Sequence, residues 1–176
     1  RHRVMTTLPT HMHLRFGRAQ EQDAAALAAL RTAAADHLTA RFGRGHWSAS
    51  STEKGVRFAI RSSHVLVGYD DRGPVATLTL ATKKPWALDR AYFAPAKRPL
   101  YFIDMAVAQP LQGRGIGRRL LAEGVVTAKA WPADAIWLDA YDTAAGAGGF
   151  YSRCGFREVG RVTYRGTPLI YFEHRL

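Results

Sequence analysis

The sequence predicts an α/β (α+β) fold in which one mixed sheet is flanked by helices. Three observations predict it. The 176 residues are about one domain's worth of chain, enough to bury a single core. Two hairpin patterns bracket the middle of the chain. Between them, apolar runs of strand length alternate with helical periodicity, which requires at least one parallel crossover.

Taken in order, residues 1–13 lack any periodic pattern and read as an N-terminal tail before a domain at 14–176. Met5 is a candidate native start, which would make residues 1–4 a remnant. Leu14 to Gly17 reads as a short strand. Asp23 then precedes Ala24 to Leu38, rich in strong helix formers, and is expected to cap that helix. Arg41 to Glu53 reads as a loop holding Trp47, with a further helix near Lys54 to Arg61. Val65 to Tyr69, a turn at Asp70-Asp71-Arg72-Gly73, and Val75 to Thr82 form the first hairpin. Lys83 to Pro99 is a long connection, a type that is often functional. Tyr101 to Ala108 is a strand stopped by Pro110. Ile116, Leu120, Leu121, Val125 and Ala128 give one apolar side to a helix over Gly115 to Ala130. Ile136 to Tyr141 is the next strand, and Ala145 to Cys154 a glycine-interrupted helix. Val159 to Tyr164, a turn at Arg165-Gly166, and Pro168 to Arg175 close the chain as a hairpin.

Composition narrows the function. A hydrophobic fraction of 47% and a charged fraction of 22% exclude a disordered or collagen-like chain. No apolar run approaches the ~20 residues of a membrane span, so no membrane partner is expected. Cys154 is the single cysteine, which excludes an intrachain disulfide and fits a reducing cytoplasm. Without a paired histidine it reads as a small buried residue. The histidines show no His-Glu-x-x-His spacing, and no metal is expected. Lys and Arg number 25 against 14 Asp and Glu, a net charge of +11 that favours polyanionic partners. Nucleic acid is the competing reading. Against it, the basic residues are spread along the chain and no helix-turn-helix, RRM or zinc-finger signature accompanies them.

The most informative stretch is Gln112-Gly113-Arg114-Gly115-Ile116-Gly117-Arg118-Arg119. A buried strand ends, three glycines follow at alternate positions, and a helix begins. The first turn of a helix presents unpaired N–H groups and a positive partial charge. Glycine removes the Cβ atoms that would hold a phosphate away from those amides. Arg114, Arg118 and Arg119 add full charges, so the segment suits a pyrophosphate. It is neither a Walker A loop, lacking Gly-Lys-Ser/Thr, nor a dinucleotide fingerprint, since Arg118 takes the place of its last glycine. A turn that merely allows tight strand-to-helix packing is the competing reading.

Gln112 to Gly117 resembles the Gln/Arg-x-x-Gly-x-Gly/Ala motif of the GNAT superfamily of acyl-CoA-dependent N-acyltransferases. Phe150-Tyr151-Ser152-Arg153-Cys154-Gly155-Phe156 resembles that superfamily's later Phe-Tyr-x-x-x-Gly-Phe element, at the usual separation. The resemblance implies a mostly antiparallel central sheet whose two central parallel strands, Tyr101–Ala108 and Ile136–Tyr141, splay apart. It implies acetyl-CoA in that opening, with backbone groups of Met105, Ala106 and Val107 on its pantetheine arm. Gln112, Gly113, Arg114, Gly115, Ile116, Gly117 and Arg118 would hold the pyrophosphate.

The reaction implied is N-acetylation of a small-molecule or peptide amine, with a homodimer left open. Tyr151 stands where the family commonly places the proton donor to the thiolate; a packed aromatic is the bland alternative. Asp139 corresponds to the glutamate base of ribosomal-protein N-terminal acetyltransferases. Asp104 and Asp142 are further acids, and a salt bridge to an arginine is the competing role for each. Many relatives carry Asn where this chain has Ala144, which removes one cofactor hydrogen bond. Trp47, Trp86, Asp89 and Tyr92 are the expected substrate side, with Phe93 beside them, because an acid among aromatics suits a cationic amine. Gly146, Gly148 and Gly149 imply either close backbone approach to a ligand or a non-helical start to that segment. A GNAT-like domain that binds acyl-CoA as a sensor without catalysis is the third reading; Tyr151 argues against it.

Overall fold

A computed structural model describes residues 13–176, so the expected tail lies outside the described residues except for His13. Seven strands form one sheet: β1 (Arg15–Arg18), β2 (His64–Asp70), β3 (Gly73–Ala81), β4 (Pro99–Val107), β5 (Ala135–Tyr141), β6 (Arg157–Tyr164) and β7 (Thr167–Arg175). Their spatial order is β1-β2-β3-β4-β5-β7-β6. Every neighbouring pair is antiparallel except β4 with β5. The mixed, mostly antiparallel sheet is therefore present as expected.

Four helices cover its two faces: α1 (Ala24–Phe42), α2 (Glu53–Ser62), α3 (Ile116–Ala130) and α4 (Gly148–Arg153). Alternation along each strand sends one set of side chains to each face. On one face, Ile116, Leu120, Leu121 and Ala128 of α3 meet Leu78, Leu80, Leu100, Phe102, Ile136, Leu138 and Phe172. Burying each large side chain in this layer contributes roughly 1.5–3 kcal/mol. On the other face, Leu27 and Leu30 of α1 and Val56 and Ile60 of α2 cover Val65, Val67 and Tyr69.

The long connection before β4 is a packed strap. It lays Leu88 and Phe93 on Tyr101, Trp137 and Tyr171, with Phe93 stacked on Trp137 at 4.6 Å. The Tyr171 hydroxyl accepts from the Asp89 amide at 3.1 Å and donates to the Ala87 carbonyl. This buried tether fixes the strap to β7.

Three elements differ from the sequence expectation. The first helix continues past Leu38 to Phe42 and stops at Gly43, whose φ is +82°. Asp23 does not cap it; the carboxylate accepts from the Gln20 amide at 2.8 Å and from the Tyr69 hydroxyl at 2.7 Å. The helix expected from Ala145 begins only at Gly148. Gly146 lies so close to the Tyr141 carbonyl that a Cβ would sit 1.7 Å from its oxygen, a turn no helix can share. Gly146 thus marks a non-helical start, while Gly148 and Gly149 open the helix and Gly148 faces Ile170 and Phe172 of the core.

Two irregularities open the sheet at its centre. β4 and β5 pair only through Pro99–Ala135, Leu100–Ile136 and Tyr101–Trp137, after which both strands run on unpaired with each other. In β4, pairing with β3 slips between Ile103 and Ala106, and Asp104 sits in the bulge at φ +54°. A positive φ at an aspartate inside a strand is strained backbone, which persists only where surrounding structure enforces it.

The turn into α3 uses its glycines in two ways. Gly113 and Gly115 adopt φ of +78° and +79°, with no atom within 4 Å of a built Cβ. Gly117 has ordinary backbone, and its missing Cβ would lie 3.4 Å from Phe150 and 3.5 Å from Met105, normal contact. Gly115→Ala should therefore cost about 1–2 kcal/mol through left-handed backbone. Gly117→Ala should be neutral or stabilise by up to about 1 kcal/mol, as alanine for glycine does in a helix. Melting temperatures check this at roughly 2–4 °C per kcal/mol, and equal losses in both variants would contradict it. Tyr171→Phe, removing the two part-buried hydrogen bonds that hold the strap, should cost about 1–3 kcal/mol and speed proteolysis within residues 83–98.

Candidate active site

Where β4 and β5 part, a cavity of about 500 Å³ opens between the strands, α1 and α4. Asp104, Met105 and Ala106 of β4 line one side, and Asp139 and Tyr141 of β5 line the other. Tyr151 of α4 closes the inner end of the same wall. Of the residues expected from sequence, Asp104, Asp139, Tyr151, Met105, Ala106 and Trp47 are brought together here.

Asp139 lies on the same strand face as Trp137 and Tyr141, and no described residue donates a hydrogen bond to its carboxylate. Burial, reinforced by the charge of Asp104, pushes its pKa above the ordinary carboxylate value. Desolvation and a like charge both disfavour the ionised form, which makes this carboxylate a stronger base than a surface aspartate. Tyr151 is pushed up as well, by burial first and then by Asp139 and Cys154. It is a neutral O–H donor at any physiological pH. Its hydroxyl donates to the Met105 Sδ at 3.7 Å, a weak acceptor that is easily given up. Tyr141 is raised by burial, Asp139 and Asp104, and meets Trp47 edge-on at 5.5 Å.

The adjoining turn presents main-chain donors. No described carbonyl takes the amides of residues 113–118; the first amide in the stretch with a partner is Arg119, donating to Gly115 at 3.1 Å. A row of exposed amides at the head of α3, with open space beside Gly113 and Gly115, fits a diphosphate. The β5-facing edge of β4 beyond Tyr101 also lacks a strand partner, which fits an extended amide-bearing arm. The Gln112 side-chain amide donates to the Val107 carbonyl at 3.2 Å and ties the turn to β4. Arg118 reaches the Arg153 carbonyl at 3.2 Å, and Arg119 lies over Phe16 at 5.3 Å. Arg114 is left exposed beside the amides.

Three expected substrate residues do not line the cavity. Trp86 is 83% exposed. Asp89 caps a short 3-10 turn, accepting from the Ala91 amide at 2.9 Å. Tyr92 packs edge-on against Tyr171 at 5.4 Å and over Gly160 of β6. Asp142 pairs with Arg161 at 3.3 Å, the structural role weighed for it. Conversely, Arg31, His46 and Tyr141 line the cavity without having been singled out. Arg31 had a signal: it falls on the helical face of Leu27, Ala28 and Ala35, all buried. Among the described residues no helix is long and apolar enough to cross a membrane, and no cluster of three His, Cys, Asp or Glu could hold a metal.

Solved structures share this architecture. An N-acetyltransferase from Staphylococcus aureus Mu50 is 18% identical, with 93% of this chain and 98% of that chain covered at a TM-score of 0.70. The yncA protein of Salmonella typhimurium, solved with its cofactor acetyl-CoA, is 16% identical over 93% and 94% at a TM-score of 0.70. A ribosomal-protein-alanine N-acetyltransferase from Brucella melitensis is 19% identical over 92% and 99% at a TM-score of 0.71. Identities this low show the fold alone. No curated protein sequence matches the chain. The model of the Acetyltransferase (GNAT) family matches residues 29–156, spanning both motifs and both of the parted strands, β4 before the first motif and β5 between the two. The chain therefore belongs to the GNAT family of acetyltransferases, whose chemistry is acetyl-CoA-dependent acyl transfer.

Proposed function

We propose that this chain moves the acetyl group of acetyl-CoA onto a primary amine of a small molecule or peptide, by direct attack on the thioester. One observation carries the reading: a carboxylate with raised pKa and a neutral tyrosine hydroxyl line one cavity where two parallel strands part. Acyl transfer to an amine needs a group to accept the ammonium proton and one to protonate the departing sulfur.

A lysine-like ammonium, with a pKa near 10.4, loses about 4.6 kcal/mol in becoming neutral at pH 7. Asp139 accepts that proton, directly or through one water. Asp104 keeps Asp139 basic and adds negative charge that draws a cation into the opening. Tyr151 turns its O–H from Met105 Sδ to the leaving sulfur and hands over a proton as the carbon–sulfur bond breaks. The amides of Gly113 to Arg118 grip the diphosphate, Arg114 adds its charge, and the free edge at Met105, Ala106 and Val107 aligns the pantetheine. Trp47 and Tyr141 form the aromatic wall on the acceptor side. The single cysteine supports a reducing, cytoplasmic setting for this reaction.

Titration calorimetry with acetyl-CoA, followed by amine-dependent thiol release, tests the reading; folded protein that gives no heat of binding would overturn it. Tyr151→Phe should lower kcat about 10²-fold with little change in acetyl-CoA affinity, and Asp139→Asn about 10²- to 10⁴-fold. The acid limb of the kcat/KM profile should lie above the usual aspartate range near 3.9, since Asp139 must be ionised to act.

Stability should move the opposite way. A carboxyl whose folded pKa is raised loses stability as pH climbs from its unfolded pKa through its folded one. Asp139→Asn should therefore melt higher than the native protein at pH 8, and the gain should vanish by pH 3. A lower melting temperature at pH 8 would show that Asp139 is tied into the fold by bonds the native structure depends on.

A further inference from the structure

The cavity contains one full positive charge. Arg31 of α1 lies far in sequence from both motifs, yet lines the same opening as Asp104, Asp139 and Tyr151. Its neighbours along the helix face, Leu27 and Ala35, are core residues, so the guanidinium is carried where apolar contact would be expected. A guanidinium has five N–H donors. Thr79 takes one, from Nη2 at 3.0 Å. Nε is sealed from solvent with no acceptor, and Arg31 forms no ion pair with a described carboxylate. Arg31 is half-buried, and a sealed donor such as its Nε is costly to leave unpaired unless something in the cavity uses it. The planar fork suits a carboxylate above other partners.

Resting on the transferase reading above, we propose that Arg31 binds a carboxylate of the acceptor, which makes the acceptor a free amino acid. Its ammonium faces Asp104 and Asp139, and its carboxylate meets Arg31. Two acids alone would select any cation. Two acids and one arginine lining a single cavity select a zwitterion. Leu38, Trp47 and Tyr141, which line the same space, favour an apolar side chain. Burial lowers the pKa of Arg31 and the charge of Asp104 opposes that shift, so the two sit within electrostatic reach without bonding.

The test pairs each proteinogenic L-amino acid with the amine left by its decarboxylation, as acceptors with acetyl-CoA. At least one acid should exceed its amine in kcat/KM by roughly 10- to 100-fold, the worth of a charge-assisted hydrogen bond. Arg31→Gln should raise KM for that acid by the same factor and leave KM for the amine unchanged. Arg31→Lys, which keeps the charge and loses the fork, should restore part of the difference. A merely structural arginine would lower both acceptors alike, and that result overturns the proposal. So does equal or better use of the amines, or refusal of every acid by protein that binds acetyl-CoA. Calorimetric titration with the same acids needs no turnover. Binding by the native chain that Arg31→Gln abolishes would uphold this site even if acetyl-CoA failed to bind, a failure that would sink the transferase reading alone.

Discussion

Everything at the centre of this molecule depends on two neighbouring parallel strands that stay together for only three residue pairs. A sheet normally satisfies each interior amide and carbonyl across the ladder. Here β4 and β5 abandon that arrangement in the middle of the core, and the bulge at Asp104 bends β4 further from its partner. The rest of the fold compensates. β7 pairs with β5 along its whole length, β3 holds β4 on both sides of the bulge, and α3 supports both strands from beneath. The opening is thus a stable defect, framed by paired strands on either side.

The defect also sets the electrostatics. Two aspartates stand on opposite lips of the gap, and burial raises Asp139, Tyr141 and Tyr151, with Asp104 adding to the shift of Asp139, Asp139 to that of Tyr151, and both aspartates to that of Tyr141. One arginine from α1 lines the same cavity. The basic residues outside the cavity are dispersed, and a few of them form exposed ion pairs, as with Arg57–Glu53, Arg61–Glu21 and Arg161–Glu158. Such exposed pairs contribute little to stability. The formal charge of the chain therefore says less about its function than the few charges it buries.

Much of this was legible in the chain itself because it is written locally. The glycines at 113, 115 and 117 lie within one turn, and the Phe150 to Phe156 element within one short helix and its exit. Strand and helix order followed from apolar periodicity, and Asp139 and Asp104 stood out as acids in apolar strands. What depended on distant contacts was hidden. Arg31 belongs to an alanine-rich helix and becomes a cavity residue only when α1 is laid across Thr79. Asp89 and Tyr92, expected on the acceptor side, lie outside the cavity lining, one at a local cap and the other packed over Gly160 of β6. The helix at Gly148 was misplaced by three residues because the turn before it packs Gly146 against the carbonyl of Tyr141, on the preceding strand, an approach only a residue without Cβ allows.

Gly117, Met105 and Phe150 meet at one point, so the two sequence landmarks are also neighbours in space. The methionine that fills this junction is the same one that receives the Tyr151 hydroxyl. The glycine turn and the Phe150–Tyr151 element are therefore coupled through one packed junction. A single methyl at position 117 would meet both neighbours at ordinary contact distance, so the junction admits one more carbon there, and anything larger requires Phe150 or Met105 to give way.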